Sequence, residues 1–118
     1  MHKVVISDTS CLIILSNINE LDLLKQVYGK IITTQEIALE FGEKLPEWVE
    51  VTTAKDSHKQ KLLEMHVDVG EASAIALAME TDNSLIILDD YKARKIADYI
   101  GLKVVGTIGL SSKQNNLD

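Results

Sequence analysis

Val4-Val5-Ile6-Ser7-Asp8-Thr9-Ser10 is a short β-branched run that ends on a carboxylate and leads into the apolar stretch Cys11-Leu12-Ile13-Ile14-Leu15. The run predicts a buried strand over 3–8, polar only at its end. Ser10 to Ile18, apolar nearly all round, predicts a buried helix. Leu85-Ile86-Ile87-Leu88-Asp89-Asp90 repeats the arrangement late in the chain. Its strand covers Ser84 to Leu88, and a helix follows from Asp90 to Ile100 with Ile96, Ala97 and Ile100 facing inward. Ligands of open α/β sheets bind outside the carboxyl ends of the strands. Asp8 and Asp89 therefore face a crevice. If their strands are neighbours, two like charges meet there and require a cation.

Between these units strands and helices alternate. Glu20 to Tyr28 reads as a helix capped by Asn17 or Asn19 and stopped by Gly29. Lys30 to Thr33 is a second strand. Thr33-Thr34-Gln35-Glu36 has the form of a capping box, with Thr33 as cap, and opens a helix that Gly42 ends after Phe41. A loop holds the single proline, Pro46. Trp48 to Thr53 alternates apolar and polar residues, as an edge strand does. Ser57 to His66 reads as a polar helix with Leu62, Leu63 and Met65 on its buried side. Asp68-Val69-Gly70-Glu71 is a second capping box, opening an Ala-rich apolar helix that ends at Met79. After a turn at 81–83 come strand four, helix, C-cap Gly101 and a fifth strand, Lys103 to Val105. This alternation predicts a parallel sheet with helices on both sides. Residues 111–118 lose all apolar periodicity and read as a polar C-terminal tail to a domain over 1–110.

The chain has 118 residues, of which 46% are hydrophobic and 25% charged. One globular domain with a substantial core is expected. Aromatic residues are few, so that core is aliphatic. The lone cysteine, Cys11, excludes an intrachain disulfide and reads as a small buried hydrophobe. It fits a reducing cytoplasm. No stretch reaches the ~20 apolar residues of a membrane span, and the immediate opening into a strand leaves no room for a signal peptide. A net charge of −6 counts against simple phosphate-backbone binding through basic patches.

Asp8, Glu40, Glu71 and Asp89, with Asp90 adjacent, are the candidate site residues. Singly, each has an ordinary reading. Asp8 and Asp89 suit helix N-caps. Glu71 completes a capping box or balances a helix dipole. Glu40 suits a solvated helix face. Together they describe four anionic groups around one crevice, where Mg²⁺ or Mn²⁺ would relieve their repulsion. His2, His58 and His66 are scattered surface residues, and no Cys/His cluster suits zinc. Carboxylate-bound metal makes hydroxide available near neutral pH and neutralises a phosphodiester, so hydrolysis of a nucleic-acid backbone is the matching chemistry. Thr9 and Ser10 are placed to hydrogen-bond Asp8 or a metal-bound water. Lys92, Arg94 and Lys95 are placed to meet phosphate at the rim, or to form an ordinary solvated helix face.

These stretches resemble a PIN domain. The matching pieces are Val-Val-Ile-Ser-Asp-Thr-Ser at 4–10, Ile-Thr-Thr-Gln-Glu-Ile-Ala-Leu-Glu at 32–40, Gly-Glu-Ala-Ser-Ala-Ile-Ala-Leu-Ala at 70–78 and Leu-Ile-Ile-Leu-Asp-Asp-Tyr-Lys-Ala-Arg at 85–94. Gly-Leu-Lys-Val-Val-Gly-Thr-Ile-Gly at 101–109 is similar to small prokaryotic PIN-like proteins. The resemblance implies a three-layer α/β/α fold whose sheet of about five parallel strands is ordered 3-2-1-4-5. It implies a Mg²⁺- or Mn²⁺-dependent ribonuclease, often the toxin of a toxin–antitoxin pair, acting on RNA as a homodimer and held by a cognate antitoxin protein. On this basis Asp8, Glu40, Glu71 and Asp89 are the catalytic acids. Asp8, Glu71 and Asp89 hold the metal, Thr9, Ser10 and Asp90 support them, and Arg94 and Lys92 contact nucleic acid.

Two features depart from the family pattern. Glu71 stands where many PIN nucleases have Asp. Family members usually continue past position 109 into a further helix, so the polar 111–118 implies a shortened form with an altered dimer surface. The alternative within the fold is a binding or interaction module that keeps the acids but cleaves little. Other folds fit less well. A haloacid-dehalogenase-like phosphatase needs a second Asp where Ser10 stands. A receiver domain needs its acidic cluster near the start and a Lys after a late strand. A dinucleotide-binding fold needs G-x-G-x-x-G after strand one.

Overall fold

Short aliphatic runs without polar alternation favour parallel strands covered on both faces. A computed structural model describes residues 4–107. In chain order its elements are β1 (Val4–Ser7), α1 (Thr9–Asn17), α2 (Asp22–Tyr28), β2 (Ile31–Thr34), α3 (Gln35–Phe41), β3 (Val49–Thr52), α4 (Ser57–Leu63), α5 (Val69–Met79), β4 (Ser84–Ile87), α6 (Tyr91–Ile100) and β5 (Lys103–Val105). The strands form one all-parallel sheet ordered β3-β2-β1-β4-β5, flanked by helices. The expected fold class and strand order are both found. The tail 111–118 lies outside the described residues.

The three inner strands β2, β1 and β4 carry the core, with Val5, Ile6, Ile31, Ile86 and Ile87 almost wholly buried. The edge strands β3 and β5 are partly exposed, which explains the alternation read at Trp48–Thr53. Helix α5 packs on β1, β2 and β4. Gly70 and every residue from Ala72 to Ala78 are buried, and the small Ala and Ser side chains allow that close approach. Glu80, just beyond its end, accepts the backbone N–H groups of Lys55 and Asp56, both at 2.8 Å.

The sheet reverses its direction of growth between β1 and β4. Register across this switch point pairs Ile6 with Ile86 and Ser7 with Ile87, so Asp8 and Asp89 leave the same edge. A crevice at such an edge is the usual ligand site of an open parallel sheet.

Several local expectations are corrected. Thr33 is not a cap. It remains in β2, paired with Val51, and its hydroxyl donates to Ser7 O at 2.9 Å. Thr34 caps α3 instead, accepting from Ile37 N at 3.1 Å, and its hydroxyl meets Ser73 Oγ of α5 at 2.7 Å. Neither Asn17 nor Asn19 caps α2, whose N-cap Leu21 makes no side-chain bond. Asn19 instead turns the chain after α1, with φ of 58°. Helix α4 stops at Leu63, so Met65 falls outside it and Leu62 faces solvent. Gln60 takes the buried position because its amide donates to Glu36 Oε2 and Glu64 Oε2. In α6 Ala97 and Ile96 face the core as expected and Ala93 joins them, while Ile100 is exposed at the helix end.

Thr34 joins strand, helix cap and α5 in a fully buried position. Thr34→Ala is expected to lower unfolding free energy by about 2 kcal/mol, combining a lost cap with a lost buried hydrogen bond to Ser73, whose own hydroxyl stays bonded to Gly70 O. Urea denaturation should show a lower midpoint with an unchanged slope.

Candidate active site

Asp8 follows β1 in an extended conformation, which lets its carboxylate turn back over the first turn of α1. Oδ1 accepts the Cys11 N–H at 2.8 Å, a normal N-cap bond. Oδ2 accepts the Asp89 N–H at 3.1 Å, while the Asp8 N–H donates to Ile87 O at 3.2 Å. One side chain therefore fastens the ends of the two central strands. Asp8 is only 3% exposed. Burial raises its pKa to about 6, the Cys11 N–H opposes that rise, and the charge of Asp89 adds to it.

Glu40 reaches the same edge from α3. Thr9 donates its hydroxyl to Glu40 Oε1 at 2.7 Å, so Thr9 serves Glu40 rather than Asp8. Gly70 makes the approach sterically feasible, because a Cβ at that position would overlap the Glu40 carboxylate. Next to it, Asp68 and Glu71 form the expected capping box. Glu71 N donates to Asp68 Oδ1 at 2.9 Å and Asp68 N to Glu71 Oε1 at 3.3 Å. Desolvation raises the Glu71 pKa to about 7. The Asp68 charge adds to this, the Asp68 N–H opposes it, and the charges of Asp90 and Asp8 contribute less. Asp8, Thr9, Ser10, Glu40, Asp68 and Glu71 line one pocket of about 220 Å³.

Asp89 behaves differently from expectation. It is not a helix cap; Asp90 caps α6, accepting from Ala93 N at 2.9 Å. The Asp89 carboxylate instead receives the N–H and hydroxyl of Thr107, beyond β5. It borders two open clefts, of about 520 and 780 Å³, both shared with Arg94. Lys92 is exposed on α6 and borders neither cleft, whereas Lys95 lies 5.4 Å from the Tyr91 ring centroid. His58 and His66 are exposed, as expected, and His2 lies outside the described residues.

Three of the four acids thus share a pocket, and the fourth adjoins it through its backbone bond to Asp8. A family model described as a PIN domain matches residues 4–117. The chain belongs to the PIN-domain family. No curated protein matches it significantly. PIN domains are generally nucleases and typically bind divalent metal ions, and this chain has the strand order of that fold. Among the described residues, no helix is long and apolar enough to cross a membrane.

The donor set of this PIN domain consists of hard oxygens, which suit Mg²⁺ or Mn²⁺. Asp8 and Glu71 are both held above their ordinary pKa range by burial and by neighbouring negative charge. A divalent cation relieves both effects, so the residues fit such an ion. Among the described residues, however, no three His, Cys, Asp or Glu side chains converge as a ready ligand cluster. Asp8, Glu71 and Asp89 are not drawn together in that way because each carboxylate is directed by its own donors: Cys11 and Asp89, Asp68, and Thr107 respectively.

Sequence reading assigned no role in the site to Asp68, Gly70, Gly106 or Thr107. Gly70 left a signal: a glycine in the first turn of a helix is unfavourable by about 1 kcal/mol relative to alanine and so marks a packing need. Thr107 left a weaker one. It follows a parallel strand at the ligand-binding edge of the sheet, where Asp8 and Asp89 also lie.

The shifted acids set the pH dependence of stability. The folded pKa of Asp8 exceeds the unfolded value of about 4, so the native state binds its proton more tightly. Stability is therefore greatest below that window and falls as pH rises through about 6, with Glu71 extending the fall to about 7. In metal-free buffer the urea midpoint should decrease between pH 5 and 7.5. Asp8→Asn should flatten the lower part of that profile; an unchanged slope would remove Asp8 as its source.

Proposed function

We propose that this PIN domain is a Mg²⁺- or Mn²⁺-dependent endoribonuclease that hydrolyses RNA phosphodiester bonds. The observation carrying the proposal is the pocket lined by Asp8, Glu40 and Glu71 at the sheet's switch point, with the Asp89 backbone N–H bonded to Asp8 beside it. Asp8, Glu71 and Asp89 would hold the ion. When bound, such an ion neutralises phosphodiester charge and lowers the pKa of water towards neutrality.

The chain's own groups supply the remaining functions. Thr9 fixes the Glu40 carboxylate at the pocket wall, leaving a second oxygen to accept a proton or orient water. Near neutral pH, Asp8 and Glu71 lie close to their own titration range and exchange protons for a cation readily. Ser10 and Asp90 border the acids, while Arg94 and Lys92 on α6 offer positive charge to the RNA backbone. The family kinship extends the proposal to a cytoplasmic toxin acting as a homodimer and restrained by a cognate antitoxin protein.

A second reading has an observation in its favour. Each acid already has a hydrogen-bond donor from the protein, as in a PIN fold that binds nucleic acid or protein but cleaves little. Incubation with Mn²⁺ and both structured and unstructured RNA separates the readings. The native chain should cleave, and Asp8→Asn should cleave at least roughly 100-fold more slowly, since several kcal/mol of transition-state stabilisation depend on the ion. Indistinguishable products from the two proteins would reject the nuclease reading. Binding has its own readout: Mn²⁺ should raise the Tm strongly at pH 7.5 and hardly at pH 5, where protons occupy the same carboxylates.

A further inference from the structure

Three adjoining spaces lie along the carboxyl edge of the sheet. The acid pocket of Asp8, Glu40 and Glu71 shares Ser10 with the cleft of about 780 Å³ beside α1. That cleft shares Asp89, Arg94 and Val104 with the cleft of about 520 Å³ on α6. One path therefore leads from the acids, past Ser10 and Arg94, to Tyr91. Tyr91, Arg94, Lys95 and Asp98 line its far end at i, i+3, i+4 and i+7 of α6, a spacing that puts them on one face of the helix. All four are exposed, while Ala93 and Ala97 bury the opposite side.

An ordinary solvated face would pair its charges at i, i+4, as Arg94 and Asp98 could. They do not pair: among the described residues Lys30 and Glu50 form the only ion pair, and the Arg94 side chain makes no hydrogen bond. The guanidinium lies instead against Gly106, where a Cβ would stand 2.8 Å from its Nη1. The Asp89 carboxylate beside the same glycine is taken by the N–H and hydroxyl of Thr107. Five N–H donors thus border the clefts uncommitted, in a planar fork that matches phosphate. Tyr91 is 75% exposed, and Lys95 Nζ stands over its ring 5.4 Å from the centroid, so the other ring face is left for a partner. A Tyr–Lys contact is common on surfaces. Its place here, at the end of a path that begins at the acids, gives it a use.

We propose that this face of α6 is a subsite for an unpaired RNA nucleotide, whose base stacks on Tyr91 and whose phosphate is held by Arg94, so that the acid pocket receives single-stranded RNA. The inference rests on the nuclease reading above and names its substrate class. A duplex keeps its bases stacked inside, whereas a single strand offers each base face to an aromatic ring. Tyr91 and Arg94 are about 5 Å apart along the helix axis, a spacing that the base and phosphate of one nucleotide can bridge. Charge favours the same occupant. A chain of net charge −6 is poorly suited to hold a backbone by general attraction, so affinity falls to one placed cation and one stacking surface. Lys92 borders neither cleft and has no part in the subsite.

Binding of a labelled unstructured RNA oligonucleotide and of its duplex is measured by fluorescence anisotropy on the full chain in EDTA, and kcat and KM are measured with Mn²⁺. Tyr91→Ala should weaken single-strand binding about 10-fold, the usual loss of a stacking aromatic, and raise KM similarly with kcat within about twofold. Tyr91→Phe should stay within about twofold of the native chain, because the ring is retained. Arg94→Ala should weaken binding and reduce the slope of log affinity against log salt by about 0.7, the share of one phosphate. Tyr99→Ala, on the same helix but bordering neither cleft, should change nothing. The inference is overturned if Tyr91→Ala keeps native single-strand affinity, if Tyr91→Phe loses as much as Tyr91→Ala, or if Tyr91→Ala weakens duplex binding equally. It is also overturned if the native chain binds no single strand in EDTA or with Mn²⁺. The nuclease reading is decided separately, by cleavage with Mn²⁺: a native chain that binds the single strand and does not cleave removes that reading, while the variant ratios still decide the subsite.

Discussion

Asp8 closes the seam between β1 and β4, and the rest of the site depends on it. Its two carboxylate oxygens take one N–H from the helix that follows β1 and one from the residue that follows β4. That contact fixes the distance between the two central strand ends, and so fixes the crevice where the sheet changes its direction of growth. It also has a cost: a nearly buried carboxylate beside another acid is electrostatically unfavourable. Its two hydrogen bonds from the Cys11 and Asp89 N–H groups offset part of that penalty, and a divalent cation would offset it further.

The remaining acids reach the crevice by unrelated routes. Glu40 extends from the second turn of a short helix and occupies space left by Gly70. Glu71 is held by a capping box at the start of the most buried helix. Asp89 is oriented from the far edge of the sheet by Thr107. Each carboxylate thus has local supports as well as a place near the others. This explains why they border common space without forming a compact ligand cluster among the described residues.

Much of the fold was legible in the sequence. β1 and β4 were clear because strands buried on both faces must be aliphatic throughout, and the second capping box was clear because both of its partners lie within one turn. The first was misread by one residue, since Thr33 and Thr34 are equally good caps and both pair in β2, and they differ only in that the Thr33 hydroxyl is taken by Ser7 O of β1 while that of Thr34 accepts from Ile37 N. The buried face of α4 was misread because Gln60, a polar residue, is buried by virtue of two glutamate partners distant in the chain or a turn away. In the site, adjacent Asp89 and Asp90 offered two equivalent caps, and the choice depends on Thr107 drawing Asp89 away. Bonds between residues far apart in sequence leave no periodicity to read.

Cys11 adds a practical consequence. Its side chain has no solvent exposure, and burial, with the nearby charges of Asp8 and Asp89, pushes the thiol up to about 12. A sulfur that is neither accessible nor ionised is unreactive towards alkylating reagents and mild oxidants in the folded chain. A cysteine introduced on the surface would therefore be labelled alone, giving a fluorophore or spin probe a unique attachment point without removing the native sulfur.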